Sequence, residues 1–96
     1  MQLAGKVVIV TGGANGIGQA CVLRLAQGGA DVAIMDIEAG PLNDIAGQVR
    51  ALGRRVLPLQ LDLTKRPEVV KAFDQVYAEL GQVDVLVNNV GQTARE

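Results

Sequence analysis

Short β-branched runs alternate along this chain with stretches in which apolar residues recur every three or four positions. Lys6-Val7-Val8-Ile9-Val10-Thr11 is one such run and ends in glycines. Unbroken hydrophobicity over so few residues predicts a strand covered on both faces. After Gly16-Ile17-Gly18, apolar residues at Ile17, Ala20, Cys21 and Leu25 predict a helix that buries that stripe and closes at Gly28-Gly29. Asp31 to Asp36 is a second buried strand. Pro41 suits the first turn of a helix whose stripe is Leu42, Ile45, Ala46, Val49 and Leu52, with Gly53 as its stop. Arg55 to Gln60 reads as a third strand. Its Pro58 has no N–H to give to a ladder, which places it at a sheet edge. A further helix opens near Thr64 to Pro67, carries Val69, Ala72, Phe73, Val76 and Leu80 on one stripe, and ends at Gly81. Val83 to Asn88 is the fourth strand.

Strict alternation of strand and helix across short loops means βαβ units, hence an α/β protein with a parallel sheet and right-handed crossovers. No linker, repeat or composition break divides residues 1–96, which read as a single βαβαβαβ unit. At 96 residues the core is modest. A hydrophobic share of 49%, a charged share of 20% and a net charge of −1 describe a globular chain without the charge footprint of a nucleic-acid or membrane binder. The chain has no His, no Ser, no Trp and one Cys. That excludes a Cys/His zinc site, an intrachain disulfide, a histidine acid/base and a serine nucleophile. No apolar stretch exceeds the four residues of Val7 to Val10, far short of a membrane span or signal-peptide core, so a soluble cytoplasmic chain is expected. Its chemistry must come from glycines, carboxylates, amides and backbone.

The segment Thr11-Gly12-Gly13-Ala14-Asn15-Gly16-Ile17-Gly18 joins the first strand to the first helix. The dinucleotide fingerprint G-x-G-x-x-G fails, since it would need glycine at Cys21, and a nucleotide-triphosphatase phosphate loop fails because Gln19 stands where Lys is required. What remains is T-G-x-x-x-G-x-G. There Gly12 permits a sharp exit from the strand, Gly16 lets backbone approach a pyrophosphate, and Gly18 lets the helix sit close to the sheet. The helix N-terminus offers unpaired N–H groups and partial positive charge to phosphates. Glycine is common in any strand-to-helix turn, but four within seven residues after the first strand favour phosphate binding.

Asp36 ends the second strand, 18 residues after Gly18. With strands one and two adjacent, its carboxylate overhangs the glycine turn and accepts both ribose hydroxyls of an adenosine. It also repels a 2′-phosphate, and neither Asn15 nor Ile37 beside the site supplies a cation, so NAD is preferred over NADP. Asp62, in Leu61-Asp62-Leu63-Thr64, has two readings of equal weight: an acceptor for the adenine amino group, or a cap for the following helix.

Together these residues resemble the N-terminal part of the short-chain dehydrogenase/reductase family, from Leu3-Ala4-Gly5-Lys6 to Gly91. The markers are Thr11-Gly12-x-x-x-Gly16-Ile17-Gly18, Asp36, Asp62-Leu63-Thr64 and Asn88-Asn89-Val90-Gly91. The resemblance implies a Rossmann-type doubly wound sheet, first half only, in strand order 3-2-1-4. It implies pyrophosphate contacts at Gly12, Gly16 and Gly18 with the Ile17 backbone, and a ribose acid of the NAD-preferring kind at Asp36. It also implies an adenine-binding pair in Asp62 and the Leu63 backbone. Asn88, Val90 and Gly91 resemble the segment that lies along the cofactor and steadies the central strands, where the usual form is Asn-Asn-Ala-Gly and Val90 departs from it. The implied activity interconverts an alcohol and a carbonyl by hydride transfer. The family's catalytic Ser, Tyr-x-x-x-Lys pair and further Asn fall beyond Glu96, and Tyr77 is followed four residues later by Gly81 instead of Lys. This chain alone is therefore expected to be inactive.

Two rival functions stand beside this one. A non-catalytic nucleotide-binding or interaction module fits the same glycines. A methyltransferase-like domain also places an acid after its second strand, though the Asn88-Asn89-Val90-Gly91 segment argues against it. Cys21 reads as a small core residue, and Phe73 and Tyr77 as packing on one helical face with Val76 and Leu80. Arg50, Arg54 and Arg55 straddle a helix end where cations suit the dipole, with NADP binding as the alternative. In the order 3-2-1-4 the strand Val83 to Asn88 has an open edge, where Val85 and Val87 point one way, Leu86 the other, and Asp84 is the only guarding charge. Self-association, or pairing with a complementing C-terminal half, is expected there.

Overall fold

The β-branched run at the start of the chain forms β1 (Val7–Thr11), with all five residues buried. In the computed structural model, which describes residues 2–14 and 16–89, there follow α1 (Gly16–Gln27), β2 (Asp31–Asp36), α2 (Ala39–Ala51), β3 (Val56–Gln60), α3 (Arg66–Leu80) and β4 (Val85–Asn88). The expectations for Asn15, Val90 and Gly91 lie outside the described residues. The sheet has the order β3-β2-β1-β4 with every pairing parallel. Val7 to Thr11 run opposite Asp31 to Met35, and Val8 to Thr11 opposite Val85 to Asn88. Val32 to Asp36 run opposite Val56 to Gln60. β3 is an edge, as Pro58 requires.

Alternate residues of β1 and β2 feed two cores. Val8, Val10, Val32 and Ile34 pack with Val22 and Ala26 of α1 and with Leu42, Ile45 and Val49 of α2. Val7, Ile9, Ala33 and Met35 pack on the opposite face with Leu59 of β3 and with Ala72, Val76 and Leu80 of α3. Covering both faces explains why the two central strands carry no polar alternation. Among the described residues, one face receives two helices and the other only α3.

Three packing expectations are corrected. The buried residues of α1 are Gly18, Val22 and Ala26. Ile17 is 74% exposed, Ala20 is exposed, and Cys21 and Leu25 are only half-buried. The inward position in the first turn is a glycine, which gives no hydrophobic signal, so counting apolar residues sets the stripe one position early. Tyr77 is 55% exposed, because the flank of α3 away from the sheet meets no helix among the described residues. Leu52 is also exposed, since α2 ends at Ala51 and Leu52 is its cap. At β4, Val85 is 43% and Leu86 50% exposed. The Asp84 carboxylate does not guard this edge. It turns back to accept from the Val7 N–H at 2.8 Å and from the Gln82 amide at 2.6 Å.

Candidate functional site

The strand order reverses at β1, whose neighbours β2 and β4 lead to opposite sides, and such a switch point opens a crevice beyond the carboxyl ends of the strands. Two clefts lie at that end. The first, about 270 Å³, is lined by Gly12, Asp36, Ile37, Leu61, Asp62, Leu63 and Thr64. The second, about 250 Å³, is lined by Thr11, Leu63, Val69, Phe73, Leu86 and Asn88. Leu63 belongs to both. The fold thus gathers Gly12, Asp36, Ile37, Asp62 and Leu63 at one cleft and puts Asn88 at its neighbour.

Among the described residues, two bonds fasten the glycine turn to β2. The Gly12 N–H donates to the Met35 carbonyl at 2.7 Å, and the Ala14 N–H donates to Asp36 Oδ2 at 3.1 Å. Asp36 Oδ1 accepts from the Glu38 N–H at 3.1 Å, and Asp36 is 8% exposed. A carboxylate oxygen has two acceptor sites, so among the described residues each oxygen keeps one to spare. Gly18 is where α1 crosses the turn: a Cβ there would overlap the Gly12 carbonyl oxygen and sit 2.9 Å from Gly13 Cα. Gly16 is the opposite case. It has φ +53° and nothing within 4 Å of the place a Cβ would take, so its backbone is bare on that side.

Asp62 does not cap α3. The capping position is Lys65, which has no side-chain bond to the helix. Asp62 Oδ1 instead accepts from the Thr64 hydroxyl at 2.6 Å and the Thr64 N–H at 2.9 Å, an Asx turn that braces the loop between β3 and α3. These bonds, the hydroxyl's first, and the nearby Lys65 charge hold its carboxyl below the ordinary value of 3.8. Asp84 is likewise held low, first by the Val7 N–H and then by Gln82. Both groups stay ionised into acid. On the second cleft, the Thr11 hydroxyl donates to Asn88 Oδ1 at 2.8 Å, and the Asn89 N–H reaches the Thr11 carbonyl at 3.2 Å. The Asn89 Nδ2 is buried and has no hydrogen-bond acceptor among the described residues, a donor that a ligand rich in oxygens would satisfy.

Arg54 and Arg55 lie elsewhere. Arg55 pairs with Asp31 at 2.9 Å and Arg54 donates to the Gly29 carbonyl at 3.1 Å. Asp31 opens β2 while Asp36 closes it, so these cations are roughly 16 Å from the Asp36 end by strand rise. Sequence reasoning missed Thr11 as the anchor of Asn88, the Ala14 N–H on Asp36, and Phe73 as a cleft wall. Thr64 two residues after Asp62 was a readable Asx-turn signal. A bare backbone N–H carries no residue-type signal at all.

A half-sheet in this order, with a glycine turn at the switch point and an acid closing β2, defines the Rossmann class of α/β folds. The chain belongs to the short chain dehydrogenase family, whose sequence profile matches residues 6–96. It is 46% identical over 95 residues to the 2-dehydro-3-deoxy-D-gluconate 5-dehydrogenase of Escherichia coli, which covers 99% of this chain and 37% of that protein. Among solved structures it is similar to carveol dehydrogenase from Mycobacterium avium in complex with NAD. There the TM-score is 0.90 and the identity 32%, over 94% of this chain and 37% of that one. It is also similar to L-sorbose reductase from Gluconobacter frateurii complexed with NADPH and L-sorbose. That match has a TM-score of 0.89 and 31% identity over 96% of this chain and 35% of that one. The chain spans about a third of the length of the curated relatives it matches.

Proposed function

We propose that this chain is the NAD-binding part of a cytoplasmic oxidoreductase that interconverts an alcohol and a carbonyl. The observation that carries the reading is the placement of Asp36 on the same cleft as Gly12, Asp62 and Leu63, with spare acceptor sites on both carboxylate oxygens. The bare backbone of Gly16 and the orphaned Asn89 donor also suit a ligand built from phosphates and hydroxyls. The cofactor, when bound, supplies a hydride acceptor or donor. This chain's residues do the holding. Gly12, Gly16, Gly18 and the Ile17 backbone take the pyrophosphate at the start of α1, aided by Asn15. Asp36 takes the ribose with Ile37 beside it, Asp62 and Leu63 take the adenine, and Asn88, Val90 and Gly91 line the path beyond.

The preference is for NAD, because Asp36 would face a 2′-phosphate and Arg54 and Arg55 are tied at the far end of the strands. Titration calorimetry should show NAD bound more tightly than NADP by the 96-residue chain; tighter binding of NADP would overturn the assignment. The chain holds no Ser and no Tyr-x-x-x-Lys, so nothing in it exchanges the substrate proton. Purified chain incubated with NAD and a panel of secondary alcohols should form no NADH above the uncatalysed rate. The β4 edge, with Val85 and Leu86 exposed, is proposed to pair with a second copy or a complementing C-terminal half. Sedimentation should show association that grows with concentration, and a monomer at every concentration would mean the edge is protected otherwise.

A further inference from the structure

We infer that Asp84 sets the register of β4 against β1 and so positions Asn88 at the cleft, a role that rests on reading the cleft as the cofactor site. The hydrophobic pattern cannot set that register. Valine occurs at 83, 85 and 87, so a slip of two residues lays valine on valine and keeps each on its own face. Nor does burial discriminate strongly, since β4 is four residues long, pairs only with β1 among the described residues, and leaves Val85 and Leu86 half in solvent.

The polar residues break the degeneracy. Asp84 takes both backbone groups of Val7: its N–H donates to the Val7 carbonyl at 2.8 Å, and its Oδ2 accepts from the Val7 N–H at 2.8 Å. Gln82 steadies the carboxylate, donating to that same Oδ2 at 2.6 Å and to the Gly5 carbonyl at 2.8 Å. At the other end the Thr11 hydroxyl meets Asn88. A two-residue slip would bring Gln82 or Leu86 opposite Val7, removing the carboxylate from a buried N–H. It would also carry Asn88 about 7 Å along the strand, out of reach of Thr11. Asp84 is thus a positioning residue acting on a site roughly 13 Å away, the length of β4.

The test uses the 96-residue chain with Asp84→Ala and Asp84→Asn, read by amide NMR and by calorimetry with NAD. In Asp84→Ala the amide signals of Val85 to Asn88 should double as two registers coexist. If the native register falls to about a tenth of the population, the apparent NAD affinity drops about tenfold. Asp84→Asn keeps one carbonyl oxygen for the Val7 N–H and should restore single signals and most of the affinity, which a general loss of stability would not. Should Asp84→Ala fail to fold, Asp84→Thr, with high strand propensity and no carboxylate, is read the same way. A single set of β4 signals with the Val8-to-Val85 contact retained and NAD affinity unchanged would overturn the role. If the unmutated chain binds no NAD, the cofactor reading fails, while the doubling of signals still decides the register.

Discussion

Gly18→Ala is expected to cost the chain both stability and cofactor binding, although alanine is the better helix former by about 1 kcal/mol. The added methyl meets only backbone: the Gly12 carbonyl, and Gly13 Cα at 2.9 Å. Backbone cannot rotate aside, so α1 must lift from the turn. Overpacking of this kind costs about 1–3 kcal/mol or more, a fall in Tm of roughly 5–20 °C for a domain of this size. The displaced turn carries Gly12 and the start of α1 with it, so NAD binding should weaken by at least about tenfold, equivalent to about 1.4 kcal/mol. Gly47→Ala is the control. Gly47 is exposed within α2 and nothing lies within 4 Å of its Cβ position, so that change should stabilise by about 0.5–1 kcal/mol. Urea denaturation of both variants decides the matter: if both are stabilised, the close approach at Gly18 is not what holds the turn.

The second large effect is expected at Asp36, which does two things at once. It accepts from the Ala14 and Glu38 N–H groups, and it is the proposed ribose acceptor. Asp36→Ala leaves a buried N–H without an acceptor, at about 1–3 kcal/mol of stability. Loss of charged hydrogen bonds to the ribose should separately weaken NAD binding about ten- to a hundredfold. Asp36→Asn keeps one carbonyl oxygen, so it should recover part of the stability while losing the charge that disfavours a 2′-phosphate, and the preference for NAD over NADP should narrow. Calorimetry with both dinucleotides, beside a denaturation curve for each variant, separates the two roles. Unchanged NAD affinity in folded Asp36→Ala would remove Asp36 from the site.

Most of the fold was legible because its strands are buried on both faces, and unbroken runs such as Val7 to Val10 leave little else to read. The order of the strands and the edge position of Pro58 followed from the same pattern and from the family resemblance. The phase of α1 was not legible, since the residue that faces the sheet in its first turn is Gly18, silent in any hydrophobic count. At the site, the convergence of Gly12, Asp36 and Asp62 could be anticipated because each stands at or just after the carboxyl end of a strand. The Asx turn at Asp62 was readable from Thr64 two residues on, whereas the Thr11 hydroxyl on Asn88 was not, because that bond joins residues 77 apart in sequence. Asp84 read as a guard of the edge because sequence gives its charge and not its direction. Only the folded chain shows it turned toward Val7.

The two clefts differ in how much of the chain must be closed to make them. The Asp36 cleft draws on residues up to Thr64, brought together by β1, β2 and β3 and the short crossovers between them. The neighbouring cleft also needs Leu86 and Asn88, and the side-chain ties that hold β4 span 77 residues, from Val7 to Asp84 and from Thr11 to Asn88. Contacts that close so long a loop form late, and a thinly buried strand at the rim of a sheet opens at low cost. The two clefts therefore need not come and go together. Release of β4 would dissolve the one beside Phe73 and leave the Asp36 cleft standing, so under the proposed function the adenosine half of a nucleotide would stay held while the far half of the site is unmade.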